Sequence, residues 1–288
     1  MAGLRKLDVS IIGMGNWGSS LAAALAHAGT PACEIILRRK RLKAITWDKA
    51  ALDARILWLC VPDSSISHVA AQIALRRPGL HGKVVVHSSG ALTVDALDPA
   101  RRAGAAVASV HPAMTFPTRN PVPLEGVLFG IEAPEPAARR TLDKLVRHLG
   151  GLAFNITSKN KALYHAAGTL ASPLLVSELT AAIATARLAG LDRRNALRWV
   201  ESLATATSRN VFNRGPARSF SGPFARGDAS TIELHLRALH AHPILAGLYR
   251  SLAVYALESL PAKNRRELEQ VLIAPQSSTQ NKQAQKRA

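Results

Sequence analysis

Cysteine, aromatic residues and acidic side chains are all scarce in this sequence. Its 288 residues contain two cysteines, 5% aromatic residues, and 19 Asp and Glu against 37 Lys and Arg. Two cysteines exclude a disulfide framework, and we expect Cys33 and Cys60, which lie in apolar runs, to be buried thiols in a reducing compartment. An apolar fraction of 48% with 19% charged residues also excludes disorder over most of the chain.

The shortage of acidic residues leaves a formal net charge of +18. Such a charge attracts nucleic acid, anionic lipid or phosphorylated small molecules. The basic residues are spread along the chain in pairs, such as Arg101-Arg102 and Arg193-Arg194, and are not interleaved with aromatic residues. We therefore interpret the charge as a solvated basic surface and expect no nucleic-acid partner.

Long hydrophobic runs are missing as well. Glycines interrupt the first apolar run at positions 13, 15 and 18, before a signal-peptide core is complete, and no other stretch is predicted to span a bilayer. We expect a cytoplasmic protein without a membrane partner. Residues 276–288 contain no aliphatic side chain larger than alanine and are predicted to form a disordered tail.

The first half of the chain alternates short apolar runs with helical patterns, which predicts an α/β fold with a mostly parallel, Rossmann-type sheet. The predicted strands are 8–14, 33–37, 56–61, 83–87, 105–110, 127–133 and 152–156, and the clearest helices are 19–28 and 136–149. We place this domain at residues 1–157.

The remainder is predicted to form an all-α domain over residues 158–262, followed by a helix end and the basic tail over 263–288. The predicted helices are 160–188, which Pro173 is expected to kink, 193–205, 231–241 and 244–257. Ser230 and Glu233 have the spacing of a capping box at the start of one of them.

A glycine motif stands between the first strand and the first helix. Gly13-Met14-Gly15-Asn16-Trp17-Gly18 has the GxGxxG pattern that binds dinucleotides: the first glycine permits a tight turn, the second lets the pyrophosphate approach the backbone, and the third allows close helix packing. The alternative is a glycine-rich turn without a ligand. The position between strand and helix favours the nucleotide site.

The residues after the second strand indicate which dinucleotide is bound. An NAD-selective site has Asp or Glu there, whereas this sequence has Arg38 and Arg39, whose guanidinium groups suit a 2′-phosphate. The motif therefore predicts NADP, unless the arginines are simply surface cations. Val61 and Pro62, at the end of the next strand, are also expected to line the cofactor site, because ligands bind at strand C-termini in such sheets.

Two further segments follow strands at the same sheet edge. Ser88, Ser89 and Gly90 offer hydroxyls and backbone amides that suit a substrate carboxylate or carbonyl, although ordinary loop residues would look the same. His111 is a candidate proton donor, because an imidazole titrates near neutral pH. A histidine that is hydrogen-bonded for structural reasons is the alternative.

The long helical pattern adds Lys161 and His165, which project from one helix face beside Tyr164 and could polarise a carbonyl. A solvated helix start is the alternative reading. Residues 221–228 are predicted to form a loop over the cleft, with Arg226 binding an anionic substrate. His235, His240 and His242 do not share one helix face, so we predict no metal site.

These motifs resemble, in order and over nearly the whole chain, a family with a Rossmann-like N-terminal domain and a C-terminal domain of unknown function 2520. The matching segments are 13–18, 87–90, His111-Pro112 with Thr115-Phe116, Lys161 with 164–167, Ala171-Ser172, and Gly222-Pro223 with 226–228.

The family is similar to the 6-phosphogluconate dehydrogenase-like reductases. The resemblance implies an NADP-dependent oxidoreductase acting on a small carbonyl, imine or hydroxyacid substrate, with a C-terminal domain like that of 6-phosphogluconate dehydrogenase. The family pattern has asparagine where this chain has Pro173, so a non-catalytic NADP-binding sensor is the alternative. A homodimer through the apolar C-terminal helices is expected, partly from the family's relatives.

Overall fold

The computed structural model describes residues 7–38 and 44–273, and it divides into two compact units, one ending at Pro173 and one beginning at Leu174. The boundary drawn from the sequence, between 157 and 158, lies earlier, before the helical run that leads to Pro173. The tail that was predicted to be disordered lies outside the described residues, as does Arg39, which was predicted to bind the cofactor.

The first unit is built on one sheet of eight strands, which confirms the predicted mostly parallel α/β fold. The strands are β1 (Val9–Ile12), β2 (Glu34–Leu37), β3 (Ile45–Thr46), β4 (Ile56–Leu59), β5 (Val84–His87), β6 (Ala106–Pro112), β7 (Leu128–Glu132) and β8 (Leu152–Asn155). Their order is β3-β2-β1-β4-β5-β6-β7-β8, and every neighbouring pair is parallel except β6 with β7.

Successive strand residues point to opposite sides of this sheet, and apolar side chains occur on both sides. Helices therefore cover both faces. Helices α1 (Asn16–His27) and α4 (Pro136–His148) pack on the face that carries Ile11 and Trp58. Helices α2 (Ile66–Arg76) and α3 (Asp98–Arg102) pack on the face that carries Leu57. Strands buried on both faces explain why the sequence shows continuous apolar runs.

After β8 the chain is helical throughout the described residues. The helices are α5 (Lys161–Thr169), α6 (Leu175–Leu188), α7 (Arg193–Arg214), α8 (Pro216–Ser219), α9 (Gly222–Arg226), α10 (Ala229–Ala238), α11 (Pro243–Ser259) and α12 (Arg265–Ile273). A π-helical turn that includes Pro173 joins α5 to α6. The core of the second unit lies between α10, α11 and α12, around Ile232, Leu257 and Leu268.

Several local predictions are wrong. Cys33 is exposed, because it precedes β2 at the sheet margin and is not part of the strand. The predicted loop at 221–228 contains the short helix α9. The cap of α10 is Asp228, whose carboxylate accepts a hydrogen bond from the Thr231 amide at 3.1 Å, so Ser230 is already helical and forms no capping box.

The expectation that no stretch could span a bilayer is also wrong. The helical run Ser158–Leu188, with a mean hydropathy of 1.4, is long and apolar enough to cross a membrane by length and composition. The window that has this hydropathy is 18 residues long, and none of it is buried in the described part of the chain.

Candidate active site

The carboxyl ends of β1, β4, β5 and β6 meet at one edge of the sheet, because these four strands are mutually parallel. They bring the glycine motif, Val61-Pro62, the turn at 88–90 and His111 to one cleft of about 310 Å³. Its lining residues are Gly15, Asn16, Trp17, Leu59, Cys60, Val61, Pro62, Asp63, Ser88, Ser89, His111, Pro112, Met114 and Phe116.

The three glycines of the motif meet different surroundings. Gly13 has φ +103°, and a Cβ there would lie 2.3 Å from the Cys60 carbonyl oxygen. A Cβ on Gly18 would lie 2.4 Å from the Gly13 carbonyl oxygen. Gly15 is exposed and has no neighbouring atom within 4 Å of a Cβ. Two glycines therefore permit the turn, and the third leaves its backbone open to a ligand.

The N-terminus of α1 faces this open backbone. No side chain caps the helix, so its first amides keep hydrogen-bonding capacity for an anion. The Asn16 side-chain amide donates to the Phe116 carbonyl oxygen at 2.7 Å, and the Trp17 ring packs against Phe116 with their centroids 5.1 Å apart. These contacts attach the glycine turn to the segment that follows β6.

Arg38 is exposed at the residue directly after β2. The Gly13 amide donates to the Ile36 carbonyl oxygen at 3.0 Å, so β2 ends beside the glycine turn. The carboxylate of Glu34 on β2 accepts hydrogen bonds from the Ser10 hydroxyl and from the amides of Ala51 and Leu52. That carboxylate is therefore committed to structural contacts, and the cationic Arg38 stands at the end of the strand.

The turn at 88–90 is fixed by its own hydroxyls. The Ser88 hydroxyl accepts a hydrogen bond from Trp58 Nε1 at 2.7 Å and keeps its proton for donation. The buried Ser89 hydroxyl donates to Asp63 Oδ2 at 2.6 Å and accepts from the Leu92 amide at 2.9 Å. Ser88 is therefore the hydroxyl with donor capacity in the cleft, whereas Ser89 holds the turn in shape.

His87 lies fully buried beneath this turn. Its Nδ1 accepts from the Ser89 amide at 3.1 Å, and its Nε2 lies 3.1 Å from the Thr93 carbonyl oxygen, which assigns the ring proton to Nε2. Desolvation, followed by the nearby charge of Lys161, lowers the pKa of His87 to about 4. The ring is therefore neutral at physiological pH.

His111, Tyr164 and His165 form an aromatic cluster above the same edge. His111 Nδ1 and the Tyr164 hydroxyl are 2.7 Å apart, and the rings of His111 and His165 are 5.9 Å apart. A Cβ on Gly90 would lie 2.5 Å from the His165 ring and 2.7 Å from His111 Nε2, so both rings lie close to the Gly90 backbone. Desolvation, followed by the charges of His165 and Lys161, lowers the pKa of His111 to about 4.

Lys161 does not line the cleft described above, and its side chain is only 1% exposed. Its Nζ donates to Glu132 Oε2 at 2.8 Å. The other oxygen of Glu132 accepts from the Ser158 hydroxyl at 2.6 Å and from the Val94 amide at 3.2 Å. Desolvation lowers the pKa of Lys161, whereas Glu132 opposes that shift.

Sequence reasoning missed Glu132 and the contact of Asp63 with Ser89. The signal for Glu132 was a single acidic residue within the apolar run 127–133, a pattern that often marks a buried and paired charge. Arg226 lies in the second unit, exposed at the end of α9.

Two family models match this chain. A Rossmann-like domain covers residues 2–112, and the domain of unknown function DUF2520 covers residues 127–256. A comparison with curated proteins finds no match.

Solved structures share the fold over almost the whole chain. A Bacteroides fragilis protein described as a candidate NADP oxidoreductase has a TM-score of 0.70 and 20% identity, covering 88% of this chain and 98% of its own. A Plasmodium falciparum pyrroline carboxylate reductase with NADP bound has a TM-score of 0.59 and 15% identity, covering 94% and 98%. An Aspergillus terreus reductive aminase in complex with NADPH has a TM-score of 0.60 and 15% identity, covering 92% and 99%.

Proposed function

Because the chain belongs to the proteins that join a Rossmann-like domain to a domain of unknown function 2520, we propose that it is an NADP(H)-dependent oxidoreductase. Its substrate is a small molecule with a carbonyl, imine or hydroxyacid group. The observation that carries this proposal is the single cleft that combines the open backbone of Gly15 with the imidazole of His111.

The residues of the cleft fit a dinucleotide. The open space at Gly15 and the uncapped start of α1 suit the pyrophosphate, and Arg38, with Arg39 next in sequence, suits the 2′-phosphate of NADP. Two of the solved structures named above hold NADP or NADPH, and the third is described as a candidate NADP oxidoreductase, which supports the same cofactor. When bound, the nicotinamide would supply or accept the hydride.

The protein's own contribution is to orient the substrate and to handle a proton. We assign Tyr164 as the donor to His111 Nδ1, which places the ring proton of His111 on Nε2, beside Gly90. A neutral imidazole there can donate a hydrogen bond to a carbonyl oxygen or an imine nitrogen, and the Ser88 hydroxyl can supply a second one. Hydride transfer in the opposite direction requires the other tautomer, in which Nδ1 donates to the Tyr164 hydroxyl and the unprotonated Nε2 accepts the substrate proton.

Fluorescence titration with NADPH and NADH tests the cofactor. Each guanidinium contact with the 2′-phosphate is a hydrogen bond between charged groups, so Arg38→Ala with Arg39→Ala should weaken NADPH binding by roughly 10- to 100-fold. Binding of NADH should be nearly unchanged. Arg193→Ala with Arg194→Ala removes the same charge from the exposed start of α7 and serves as the control. Equal binding of both nucleotides to the wild type would contradict the assignment of NADP.

A non-catalytic NADP-binding sensor is the second candidate. The observation that favours it is Pro173, which has no side-chain amide where the family pattern has asparagine. NADPH oxidation with a panel of carbonyl and imine compounds separates the two functions. An enzyme should turn over at least one class, and His111→Gln should lower that rate by about 100- to 10,000-fold while retaining NADPH binding. A sensor should bind NADPH without turnover.

A further inference from the structure

We propose that Glu132 and Lys161 form a buried positioning pair, which holds the His111–Tyr164 hydrogen bond in place against the turn at 88–90. This inference rests on the proposed function, because it treats His111 as the group that handles the substrate proton. The observation behind it is a row of polar side chains, His87, Ser109 and Glu132, on neighbouring strands. They lie on the sheet face that α2 and α3 cover at other positions.

That row crosses three strands at one level. His87 on β5 is in register with Ser109 on β6, and Ser109 is in register with Glu132 on β7. All three side chains are buried, with Glu132 4% exposed and the other two fully enclosed. The Ser109 hydroxyl donates to the Ser89 carbonyl oxygen at 3.1 Å, which connects the row to the turn above it.

Glu132 accepts hydrogen bonds from three donors, which belong to two separate segments of the chain. It accepts from the Val94 amide, just beyond the turn at 88–90, from the Ser158 hydroxyl, just before α5, and from the Lys161 ammonium in the first turn of α5. One carboxylate therefore joins β7, the segment after β5 and the start of α5. A carboxylate can accept all of these bonds at once, whereas a neutral side chain of similar size would need to donate to one of them.

The start of α5 determines where Tyr164 and His165 lie. Lys161, Tyr164 and His165 have i, i+3 and i+4 spacing and therefore share one helix face. Tyr164 reaches His111 at 2.7 Å, and a hydrogen bond of this kind is lost beyond about 3.5 Å. The close approach of His111 and His165 to Gly90 leaves little room for α5 to shift toward the turn. An anchor at Lys161 therefore keeps the His111 ring and its tautomer fixed.

Burial makes Lys161 a positioning residue within the first unit. An ammonium that is 1% exposed and already paired at 2.8 Å does not reach the cleft that His111 and Ser88 line. Buried ion pairs often add little net stability compared with apolar residues, although removal of one partner is costly. An ion pair at this place is better explained by the alignment it imposes than by the stability it adds.

The test compares Glu132→Gln, the double variant Glu132→Gln/Lys161→Met, and the control Asp143→Asn, which removes one charge from the more exposed Asp143–Arg147 pair on α4. The tautomer and hydrogen bonding of His111 are read from the ring ¹⁵N shifts of the full-length protein, with His111→Gln assigning the signals. Thermal unfolding, NADPH titration and turnover complete the comparison.

We expect Glu132→Gln to lower the unfolding temperature and the double variant to regain much of that loss, because the double variant leaves no unpaired buried charge. In both variants the His111 signals should lose the wild-type pattern of a single tautomer. Turnover should fall by about 100-fold, as for a displacement of about 1 Å, with NADPH affinity retained.

A double variant with the wild-type His111 spectrum would overturn the proposal, as would one with wild-type turnover. The spectrum can be measured even if Glu132→Gln alone does not fold. Failure of the proposed function would be seen in the wild type, which would then bind no NADPH or would bind it without turnover. This result does not depend on the spectrum of His111 in the variants.

Discussion

At the scale of single residues, two glycines of the turn have different proposed roles: Gly13 is needed for the fold, and Gly15 for nucleotide binding. Gly13 has a positive φ, and a Cβ there would clash with the Cys60 carbonyl oxygen, so Gly13→Ala should cost roughly 1–3 kcal/mol of unfolding free energy. Gly15→Ala adds a methyl group to open space and should cost less than about 1 kcal/mol. Urea denaturation of both variants measures the difference. Equal losses would contradict the geometry of the turn.

The buried His87 should make stability depend on pH. Its pKa is about 4 in the folded protein, below its ordinary value of 6.5, so protons bind the unfolded chain more tightly. The contribution of His87 to the unfolding free energy is complete above pH 6.5. It is lost as the pH falls to about 4, and the loss is roughly 3 kcal/mol at most.

Denaturation of the wild type and of His87→Gln between pH 7 and pH 4 measures that loss, and the slope should be smaller in the variant. The exposed His68 on α2 offers the control His68→Gln, which should keep the wild-type slope. Identical slopes in all three proteins would show that His87 is not the buried neutral group described here.

Site residues that belong to a local sequence pattern could be found from the sequence. Site residues whose role depends on a partner far away in the chain could not. Gly13 and Gly15 belong to a spaced motif, and His111 comes directly after the apolar run 105–110, so both features could be located by pattern. Glu132 acquires its role from Lys161, 29 positions away, and neither residue type reveals the other. Cys33 was predicted to be buried because its apolar neighbours resembled a strand that in fact begins one residue later.

At the scale of elements, α10 offers a direct test of capping. Asp228 accepts from the amide and the hydroxyl of Thr231, and these bonds lower the pKa of its carboxyl group. Asp228→Ala should therefore lower the unfolding temperature at pH 7, whereas Ser230→Ala should change it little. Thermal unfolding followed by circular dichroism measures both. A larger effect of Ser230→Ala would support the capping box that the sequence suggested.

The elements themselves were largely predictable, because apolar runs and helical periodicity report burial. Direction was not predictable: β7 runs antiparallel to β6, although its sequence resembles that of the parallel strands. The two-residue strand β3 is too short to produce a pattern, and α7 continues to Arg214, beyond the predicted end at Thr205, because its polar last turns carry little apolar signal.

At the scale of the whole molecule, the second unit exposes several large apolar side chains, and a group of such side chains often marks a protein interface. Trp199 is 54% exposed, Phe212 87% and Ile244 87%. Helices α6, α7, α10 and α11 also line an apolar cavity of about 670 Å³, which includes Trp199 and Leu252. We propose that a second copy of the chain covers this surface in a homodimer, as the apolar helices suggested at the start.

Sedimentation at micromolar concentration measures the assembly. The wild type should sediment as a dimer and Trp199→Glu as a monomer, because a charge in an apolar interface is costly to desolvate. Leu75→Glu changes a side chain that is 74% exposed on α2 and should leave the dimer intact. A wild-type monomer would contradict the proposed interface.

Titration of the full-length protein with NADPH, followed by fluorescence, tests the central claim most directly when wild type and Gly15→Ala are compared. The account predicts saturable binding in the micromolar range by the wild type, and binding at least about tenfold weaker by a Gly15→Ala variant that remains folded, because the added methyl group occupies the approach of the pyrophosphate. Absence of NADPH binding by the wild type, or equal affinity of the two proteins, would contradict the nucleotide site and the oxidoreductase built on it.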